Sequence, residues 1–270
     1  MTAVPRPADE DCRVVALGAF AGRTALVTGA GTGIGRAVSL RLLELGATVV
    51  GVGRRAEPLA ETAGLAGTDR FRYTPLNIRD RAAAAGFVAE LGGLDLLVNN
   101  AGGQFVAPAA EISRRGFDAV VDLNLTAQAA LVQAARPGLA ARRGRVVTLS
   151  LSAPERGIAG ITHSAAARAG MAALTASLAR RWRADGIGLF CLAPGTVLTD
   201  GVGDELPAEV LARIVETTPL GRDTTLAEVA EWVAALGSGV ADAVSGTLFE
   251  VDGGSGLVSA ASLMGQEDGK

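Results

Sequence analysis

Cysteine and histidine are scarce in this chain of 270 residues. The two cysteines, Cys12 and Cys191, lie far apart, and His163 is the single histidine. These residues provide neither a disulfide framework nor the spacing typical of zinc ligands, so we expect no metal and a reducing compartment. Cys191 lies in an apolar run, which predicts a buried structural thiol.

The chain also lacks a large excess of charge and any long apolar run. A total of 25 Lys and Arg against 28 Asp and Glu gives a formal net charge of -3, which offers no electrostatic attraction to nucleic acid or to an anionic membrane. No stretch approaches the ~18–20 apolar residues of a membrane span, and the first residues contain no apolar signal core. We therefore expect a soluble, cytoplasmic protein without nucleic-acid or membrane partners. Residues 1–20 and 256–270 are expected to be termini that are only loosely attached to the domain.

The sequence does contain a regular alternation of short apolar β-type runs and alanine-rich helical stretches. Near-continuous apolar strands are typical of a parallel sheet covered on both faces, and the alternation predicts βαβ units. No linker-like break divides the chain, so we predict one α/β domain over residues 1–270, a doubly wound Rossmann domain with a mostly parallel seven-stranded sheet. The predicted strands are 24–28, 48–52, 71–76, 94–99, 145–150, 186–192 and 247–251, and the predicted helices include 34–45, 79–91, 114–141 and 163–184.

A glycine-rich turn, residues 28–35, joins the first predicted strand to the first predicted helix. Its glycines permit a tight turn and a close approach of the backbone to a pyrophosphate, whose charge is stabilised at the helix N-terminus. A plain structural turn is the alternative, but the strand before it and the helix after it favour a dinucleotide site. The predicted cofactor contacts in this turn are Gly29, Thr32, Gly33, Ile34 and Gly35.

Two arginines, Arg54 and Arg55, directly follow the second predicted strand, which ends near Gly53. Sites that prefer NAD usually carry an acidic residue here for the ribose hydroxyls, whereas guanidinium groups suit a 2′-phosphate. A solvated surface pair is the alternative. We predict NADP(H) as the cofactor, with NADPH preferred to NADH.

Several motifs follow one another in a fixed order between about residues 20 and 256. They are the glycine-rich turn, Asn99-Asn100-Ala101-Gly102, Asn124 within Asp122-Leu123-Asn124-Leu125, Pro194-Gly195 with Thr199, and Val251-Asp252-Gly253-Gly254. In their spacing they resemble the classical short-chain dehydrogenase/reductase family. The resemblance implies an oxidoreductase that forms a homo-oligomer, a dimer or tetramer, through its long helices. It also implies further cofactor contacts at Asn77, Ile78, Asn100, Ala101, Gly102, Pro194, Gly195, Val197 and Thr199.

The catalytic motif departs from the pattern of that family. The family's Tyr-x-x-x-Lys aligns with Ser164-x-x-x-Arg168, and its catalytic serine aligns with Leu151. The one tyrosine of the chain, Tyr73, lies in the third predicted strand, on the adenosine side of such a sheet. The resemblance implies that Asn124 holds a water in a proton relay and that Arg168 also contacts the cofactor. The predicted catalytic residues are therefore Asn124, Ser164 and Arg168.

These replacements restrict the chemistry that we expect. Carbonyl reduction delivers a proton to a developing alkoxide, and a serine hydroxyl is a much weaker acid than a phenol activated by lysine. Reduction of a conjugated enoyl thioester instead places charge on the thioester oxygen, which needs hydrogen-bond donors. The segments around Asn100 and Ser164 are similar to the peroxisomal trans-2-enoyl-CoA reductase and 2,4-dienoyl-CoA reductase branch. We predict an NADPH-dependent reductase of an activated C=C bond, acting on a small-molecule or acyl-thioester substrate, in particular a trans-2-enoyl thioester.

Other functions remain open on the sequence alone. An NADP-dependent alcohol or carbonyl dehydrogenase would use Ser164, His163 or water in place of the phenol. A catalytically silent NADP-binding partner protein or a non-redox biosynthetic enzyme would need no such group. A part in proton transfer for His163, Ser150 or Ser152 is equally open, and residues 199–222 are predicted to form a substrate lid.

Overall fold

The computed structural model describes residue 8 and residues 12–152, 160–199 and 208–257. Its strands are β1 (Thr24–Thr28), β2 (Thr48–Gly53), β3 (Phe71–Pro75), β4 (Leu96–Asn99), β5 (Arg145–Leu149), β6 (Gly188–Pro194) and β7 (Thr247–Val251). They form one seven-stranded sheet in the order β3-β2-β1-β4-β5-β6-β7, and all neighbouring strands are parallel. The predicted α/β fold with seven strands is confirmed, and the sheet is parallel throughout rather than mostly parallel.

Helices cover both faces of this sheet. They are α1 (Gly33–Glu44), α2 (Ala56–Ala66), α3 (Arg81–Glu90), α4 (Arg114–Val121), α5 (Gln128–Arg142), α6 (Thr162–Arg181), α7 (Ala208–Thr217) and α8 (Leu226–Ser238). One core cluster contains buried side chains of α1, α2 and α8, and the other contains those of α3 and α5. The connections that follow β1 and β2 therefore lie on one face and those that follow β3 and β4 on the other, and this change of face accompanies the reversal of strand order in a doubly wound fold.

The central strands are continuously apolar because both of their faces are covered. Leu26 and Val27 are neighbours on β1, and both are fully buried. Successive side chains of a strand point to opposite faces, and these two belong to different core clusters. Each such side chain contributes roughly 1.5–3 kcal/mol through the removal of apolar surface from water.

The predicted helix 114–141 is interrupted. A π-helical segment, Asp122–Ala127, separates α4 from α5. Ser113 caps α4, its Oγ accepting a hydrogen bond from the backbone N–H of Gly116 at 3.1 Å. The π segment carries Asn124, so the interruption lies at a predicted catalytic residue, as π turns frequently do.

The predicted lid and the predicted loose termini are described only in part. Residues 200–207 of the lid and 258–270 at the end lie outside the described residues, and the rest of the lid contains α7. The N-terminal segment is anchored rather than loose from residue 14 onward, because Glu231 accepts hydrogen bonds from the backbone N–H groups of Val14 and Val15. Phe20 is buried as well. Among the described residues, no helix has both the length and the apolar character needed to cross a membrane.

Candidate cofactor and active site

A cleft of about 410 Å³ opens at the carboxyl ends of the strands, a volume within the usual range for small-molecule sites. It lies where β1 and β4 meet, the position at which the strand order reverses and open α/β sheets bind ligands. The predicted cofactor residues that line it are Gly29, Thr32, Gly33, Ile34, Arg54, Arg55, Asn77, Ile78, Asn100, Ala101, Gly102, Arg168, Pro194 and Thr199. The remaining predicted site residues, Gly35, Gly195, Val197, Asn124 and Ser164, do not form its wall.

The glycine-rich turn has no room for side chains at its closest contacts. A Cβ atom added to Gly35 would lie 2.1 Å from the carbonyl oxygen of Gly29 and 2.6 Å from Nδ2 of Asn100. Gly33, at φ +50°, adopts the left-handed conformation that favours glycine. The turn presents the N-terminus of α1 to the cleft, where unpaired N–H groups and the helix dipole stabilise an anion. This arrangement fits the pyrophosphate of a dinucleotide.

Thr28, which is not among the predicted site residues, organises the opposite wall of the cleft. Its Oγ1 accepts hydrogen bonds from the backbone N–H groups of Asn100 and Ala101, both at 2.9 Å, and donates to the carbonyl of Val98. Nδ2 of Asn100 in turn donates to the carbonyl of Thr28 at 2.9 Å. The signal in the sequence that could have identified Thr28 is a hydroxyl at the last position of the central strand β1, next to the strand that carries the asparagine motif.

The two arginines after β2 are exposed on the rim of the cleft. Neither Arg54 nor Arg55 forms an ion pair within the part of the chain that the structure describes. Arg36 differs, since it bonds the Gly31 carbonyl at 2.9 Å and pairs with Glu61 at 2.7 Å. Arg54 and Arg55 are therefore the cations that remain available to a phosphate at this edge.

Asn124 is committed to the loop after β4. Its Oδ1 accepts the backbone N–H of Gly103 at 3.0 Å, and its Nδ2 donates to the Gly103 carbonyl at 2.9 Å. The same Nδ2 reaches Oγ of Ser164 at 3.5 Å. Asn124 is buried, so its amide fixes the loop that lines the cleft and links this loop to α6.

Arg168 is the one charged residue, among those that the structure describes, that lines the cleft away from the rim where Arg54 and Arg55 lie. Its Nη1 donates to the carbonyls of Leu149 and Ser150 at 3.0 and 3.3 Å, and its Nε donates to Oγ of Ser164 at 3.3 Å. Its Nη2 faces Gly102, where an added Cβ would lie 3.1 Å away. Burial lowers the pKa of Arg168 to about 10, so the side chain stays protonated at neutral pH.

Ser164 lies behind Arg168 and is fully buried. Its oxygen receives hydrogen bonds from Nε of Arg168 and Nδ2 of Asn124, which leaves its own proton free to donate. The structure thus brings the three predicted catalytic residues into one hydrogen-bonded cluster. Of the three, Arg168 alone reaches the wall of the cleft.

The other candidates for proton transfer lie in different surroundings. His163 is fully buried with its ring edge against Phe105, at 4.4 Å between ring centroids, and neither ring nitrogen has a hydrogen-bond partner among the described residues. Burial lowers the pKa of His163, and a smaller contribution from the Ile161 backbone opposes this shift. The imidazole is therefore neutral at pH 7.

The two serines near the end of β5 are both engaged. Ser150 lines the cleft, and its Oγ donates to the carbonyl of Arg168 at 3.4 Å. Ser152 donates to the carboxylate of Asp252, which also accepts the backbone N–H groups of Gly254 and Gly256. Ser152 is thus held by a structural network, whereas Ser150 could still turn toward a ligand.

Two further groups are absent from the described part of this site. Tyr73 lies on β3, pairs with Gly51 of β2 and does not line the cleft. The residues that the structure describes contain no cluster of three His, Cys, Asp or Glu side chains that could hold a metal ion. The arrangement can therefore bind a dinucleotide and present a guanidinium to a developing negative charge without a phenol.

Comparisons with known proteins show similarity over almost the whole chain. A family model described as enoyl-(acyl carrier protein) reductase matches residues 29–256. The probable 2,4-dienoyl-CoA reductase of Bacillus subtilis is 32% identical over 246 residues, which cover 87% of this chain and 97% of that protein. The structure of the citronellol catabolism dehydrogenase AtuB of Pseudomonas aeruginosa has a TM-score of 0.80 and 33% identity, covering 90% of this chain and 99% of that one. A proposed NAD(P)-dependent gluconate 5-dehydrogenase from Beutenbergia cavernae with bound NADP has a TM-score of 0.83 and 34% identity, covering 90% and 100%.

Proposed function

Since the chain belongs to the short-chain dehydrogenase/reductase family of oxidoreductases, we propose that it reduces an activated C=C bond with NADPH. The substrate class that we propose is a trans-2-enoyl thioester. The observation that carries this proposal is the charged Arg168 at the cleft wall, backed by Ser164, in a chain whose single tyrosine lies elsewhere. Ser164 and Arg168 occupy, on this proposal, the places of the family's tyrosine and lysine.

The cofactor half of the proposal assigns a role to each wall of the cleft. The glycine-rich turn holds the pyrophosphate at the N-terminus of α1, and Asn77 and Ile78 flank the adenine. Pro194 and Thr199, which line the cleft, receive the nicotinamide carboxamide, and the buried Val197, which lies between them in sequence, does not reach the cleft wall. Asn100, Ala101 and Gly102 close the side of the cleft formed by β4. NADPH supplies the hydride when it is bound.

NADPH is proposed over NADH because of the charges at the end of β2. Two exposed arginines, Arg54 and Arg55, line the cleft directly after β2, and no acidic residue takes their place. On this proposal their guanidinium groups would lie beside the ribose 2′ substituent. A 2′-phosphate would form charge-assisted hydrogen bonds there, whereas a 2′-hydroxyl would leave both cations unpaired. The relative with bound NADP is consistent with this choice.

The substrate half of the proposal rests on what each catalytic residue can donate. Hydride addition at the β-carbon of an enoyl thioester moves negative charge onto the thioester oxygen. Nη2 of Arg168 donates to that oxygen, and a fixed cationic donor in a partly buried site is the kind of group that lowers such a barrier. Ser164 keeps the guanidinium in place through Nε, and Asn124 orders the Gly103 loop through both polar atoms of its amide. Because these atoms are engaged, the proton of the α-carbon comes from water in the cleft and not from a water held by the Asn124 side chain.

An alcohol dehydrogenase is the second candidate. The likeness to a structure named citronellol catabolism dehydrogenase favours it. In that case Ser150, whose hydroxyl lies at the cleft wall, would have to turn from the Arg168 carbonyl toward the substrate oxygen. The hydroxyl of Ser150 donates to a backbone carbonyl and not to a side-chain base that could take its proton, which disfavours this reaction.

Absorbance at 340 nm separates the two reactions. We expect NADPH to be consumed with a medium-chain trans-2-enoyl-CoA, and NADP⁺ to stay unreduced with medium-chain and terpenoid alcohols. Arg168→Ala and Ser164→Ala should reduce the first rate while NADPH fluorescence still reports binding. Turnover of alcohols without enoyl turnover would replace the proposal by the dehydrogenase, and tight NADPH binding without any turnover would favour a silent NADP-binding protein.

We further propose that the protein is a cytoplasmic homo-oligomer, a dimer or tetramer that forms through α4, α5 and α6. Phe117 on α4 is 40% exposed in the single chain and would be covered in such an assembly. Light scattering after gel filtration should give a mass of two or four chains. A monomer at micromolar concentration would contradict this part of the proposal.

A further inference from the structure

The carboxylate of Asp122 joins two segments that each contribute residues to the wall of the cleft. Its Oδ2 accepts a hydrogen bond from Nε of Arg79 at 2.7 Å, and its Oδ1 accepts one from Nη2 of Arg81 at 2.5 Å. Arg79 lies in the loop between β3 and α3, and Arg81 begins α3. Asp122 itself begins the π segment.

The loop at one end of this link forms the adenine side of the cleft. Asn77 and Ile78 line the cleft and directly precede Arg79. Oδ1 of Asn77 accepts the backbone N–H of Arg79 at 3.2 Å. A ligand that orders Asn77 and Ile78 therefore also orders the backbone that carries the Arg79 side chain to Asp122.

The π segment at the other end of the link reaches the active-site loop within two residues. Leu123, next to Asp122, lines the cleft, and an added Cβ on Gly103 would lie 3.5 Å from its Cδ2. Asn124 forms two hydrogen bonds with the backbone of Gly103. These contacts connect the π segment at Asp122 to the loop that lies beside Arg168.

We propose that Asp122 is a positioning residue that couples occupation of the adenine side of the cleft to the contact between Asn124 and Gly103. This inference rests on the cofactor site of the proposed function. The hydrogen bond from Arg79 is the main cause of a lowered pKa at Asp122, so the carboxylate is charged throughout the neutral range. Both ion pairs are partly exposed and each is individually modest, so their position, which spans two segments, matters more than their strength.

Hydrogen exchange at the backbone N–H of Gly103 tests this coupling without any assay of turnover. The probe is adenosine 2′,5′-bisphosphate, which contains the adenine half of NADPH and has no nicotinamide to touch the active site. In the wild-type protein at saturating probe, we expect exchange at Gly103 to slow by at least about threefold. In Asp122→Asn, at a probe concentration that gives equal saturation, we expect no slowing.

The matched control is Asp118→Asn, one helical turn earlier. Asp118 pairs with Arg114 at 3.4 Å on the exposed face of α4 and contacts neither cofactor segment. This variant removes one surface ion pair from the same stretch of helix and should keep the wild-type response at Gly103. Asp122→Glu, which preserves the charge, should restore part of the response.

The possible results separate this inference from the cofactor proposal. An equal response in wild type and Asp122→Asn, or no response in the wild type at saturation, would overturn the coupling. If adenosine 2′,5′-bisphosphate fails to bind but adenosine 5′-monophosphate binds and slows exchange only when Asp122 is present, the coupling stands and the NADP preference is wrong. If neither nucleotide binds, the adenine assignment and the coupling are both wrong.

Discussion

At the scale of single residues, Arg168 forms a set of hydrogen bonds that a lysine could not form. Its planar guanidinium spans two backbone carbonyls and the Ser164 hydroxyl through Nε and Nη1, and Nη2 still faces the cleft. An ammonium group has three donors at one point and cannot match this fork. The Ser-x-x-x-Arg arrangement is therefore a different site, in physical terms, from a tyrosine–lysine pair.

We expect Arg168→Lys to lower enoyl thioester reduction about tenfold and Arg168→Ala about 100-fold or more, because the charged donor to the substrate oxygen is displaced or lost. NADPH affinity should change much less in Arg168→Lys, since the charge is kept. Steady-state kinetics with fluorescence titration of NADPH measures both quantities. A lysine variant with wild-type turnover would show that the guanidinium geometry has no part in the reaction.

His163 gives a second prediction at this scale. Its imidazole is buried and forms no hydrogen bond of standard geometry in the described residues, the Ile161 backbone being its one weak polar neighbour, which costs roughly 1–3 kcal/mol of folding free energy. We expect His163→Phe, which keeps an edge contact with Phe105, to leave the reduction rate within twofold and to raise the free energy of unfolding by about 1 kcal/mol. A large loss of rate would assign proton transfer to His163 instead.

The same substitution should change the dependence of stability on pH. The pKa of His163 is lowered in the folded protein, so below the unfolded value, about 6.5, the unfolded chain binds more protons than the folded one. Stability from this residue is complete above that pH and declines as the pH falls below it. Urea unfolding at pH 7.5 and 5.0 should show a smaller loss for His163→Phe than for the wild type.

At the scale of elements, the turn between β1 and α1 tolerates the least change. A methyl group at Gly35 would meet the Gly29 carbonyl oxygen at 2.1 Å, so Gly35→Ala must displace the turn. We expect loss of NADPH binding and a decrease of about 3 kcal/mol in the free energy of unfolding, near the upper end of ordinary substitutions. The control is Gly86→Ala within α3, where nothing lies within 4 Å, and there we expect a gain of ~0.5–1 kcal/mol.

The elements also show which parts of the fold could be predicted from the sequence. The strands were predictable to within about two residues because a parallel sheet requires short apolar runs, and the glycine-rich turn because its conformation is encoded locally. The π segment could not be predicted, because the helical pattern of the sequence continues through it. Its position coincides with the contact between Asn124 and Gly103, which are far apart in sequence. The buried position of Ser164 behind Arg168 depends on the packing of α6 and was equally inaccessible.

At the scale of the whole molecule, a buried ion pair connects three parts of the chain. Oε2 of Glu231 on α8 accepts Nε of Arg41 on α1 at 2.7 Å, and Oε1 accepts the N–H groups of Val14 and Val15. Burial alone would raise the pKa of Glu231, but the hydrogen bonds from Arg41, Val15 and Val14 outweigh it and lower the pKa.

Removal of this carboxylate charge should destabilise the fold as a unit. Glu231→Gln leaves Arg41 buried with Glu44 as its one remaining carboxylate among the described residues, so we expect a loss of ~3 kcal/mol in the free energy of unfolding. Because the folded pKa of Glu231 is lowered, its contribution is present above pH ~4.5 and is lost as the pH falls further. Urea unfolding at pH 7 and pH 4 should therefore show a difference between the two proteins that shrinks with acidification, and a difference that grows would contradict this assignment.

The fate of the transferred hydride identifies the bond that the protein reduces, and isotope labelling follows it. The enzyme is incubated with NADPH carrying deuterium at the transferable position of the nicotinamide and with a medium-chain trans-2-enoyl-CoA, and the product is analysed by mass spectrometry. We expect a saturated acyl-CoA with one deuterium at its β-carbon, and a yield that falls sharply in Arg168→Ala. Deuterium found instead on the carbinol carbon of an alcohol, when ketones or aldehydes are supplied and the enoyl thioester is returned unchanged, would contradict it.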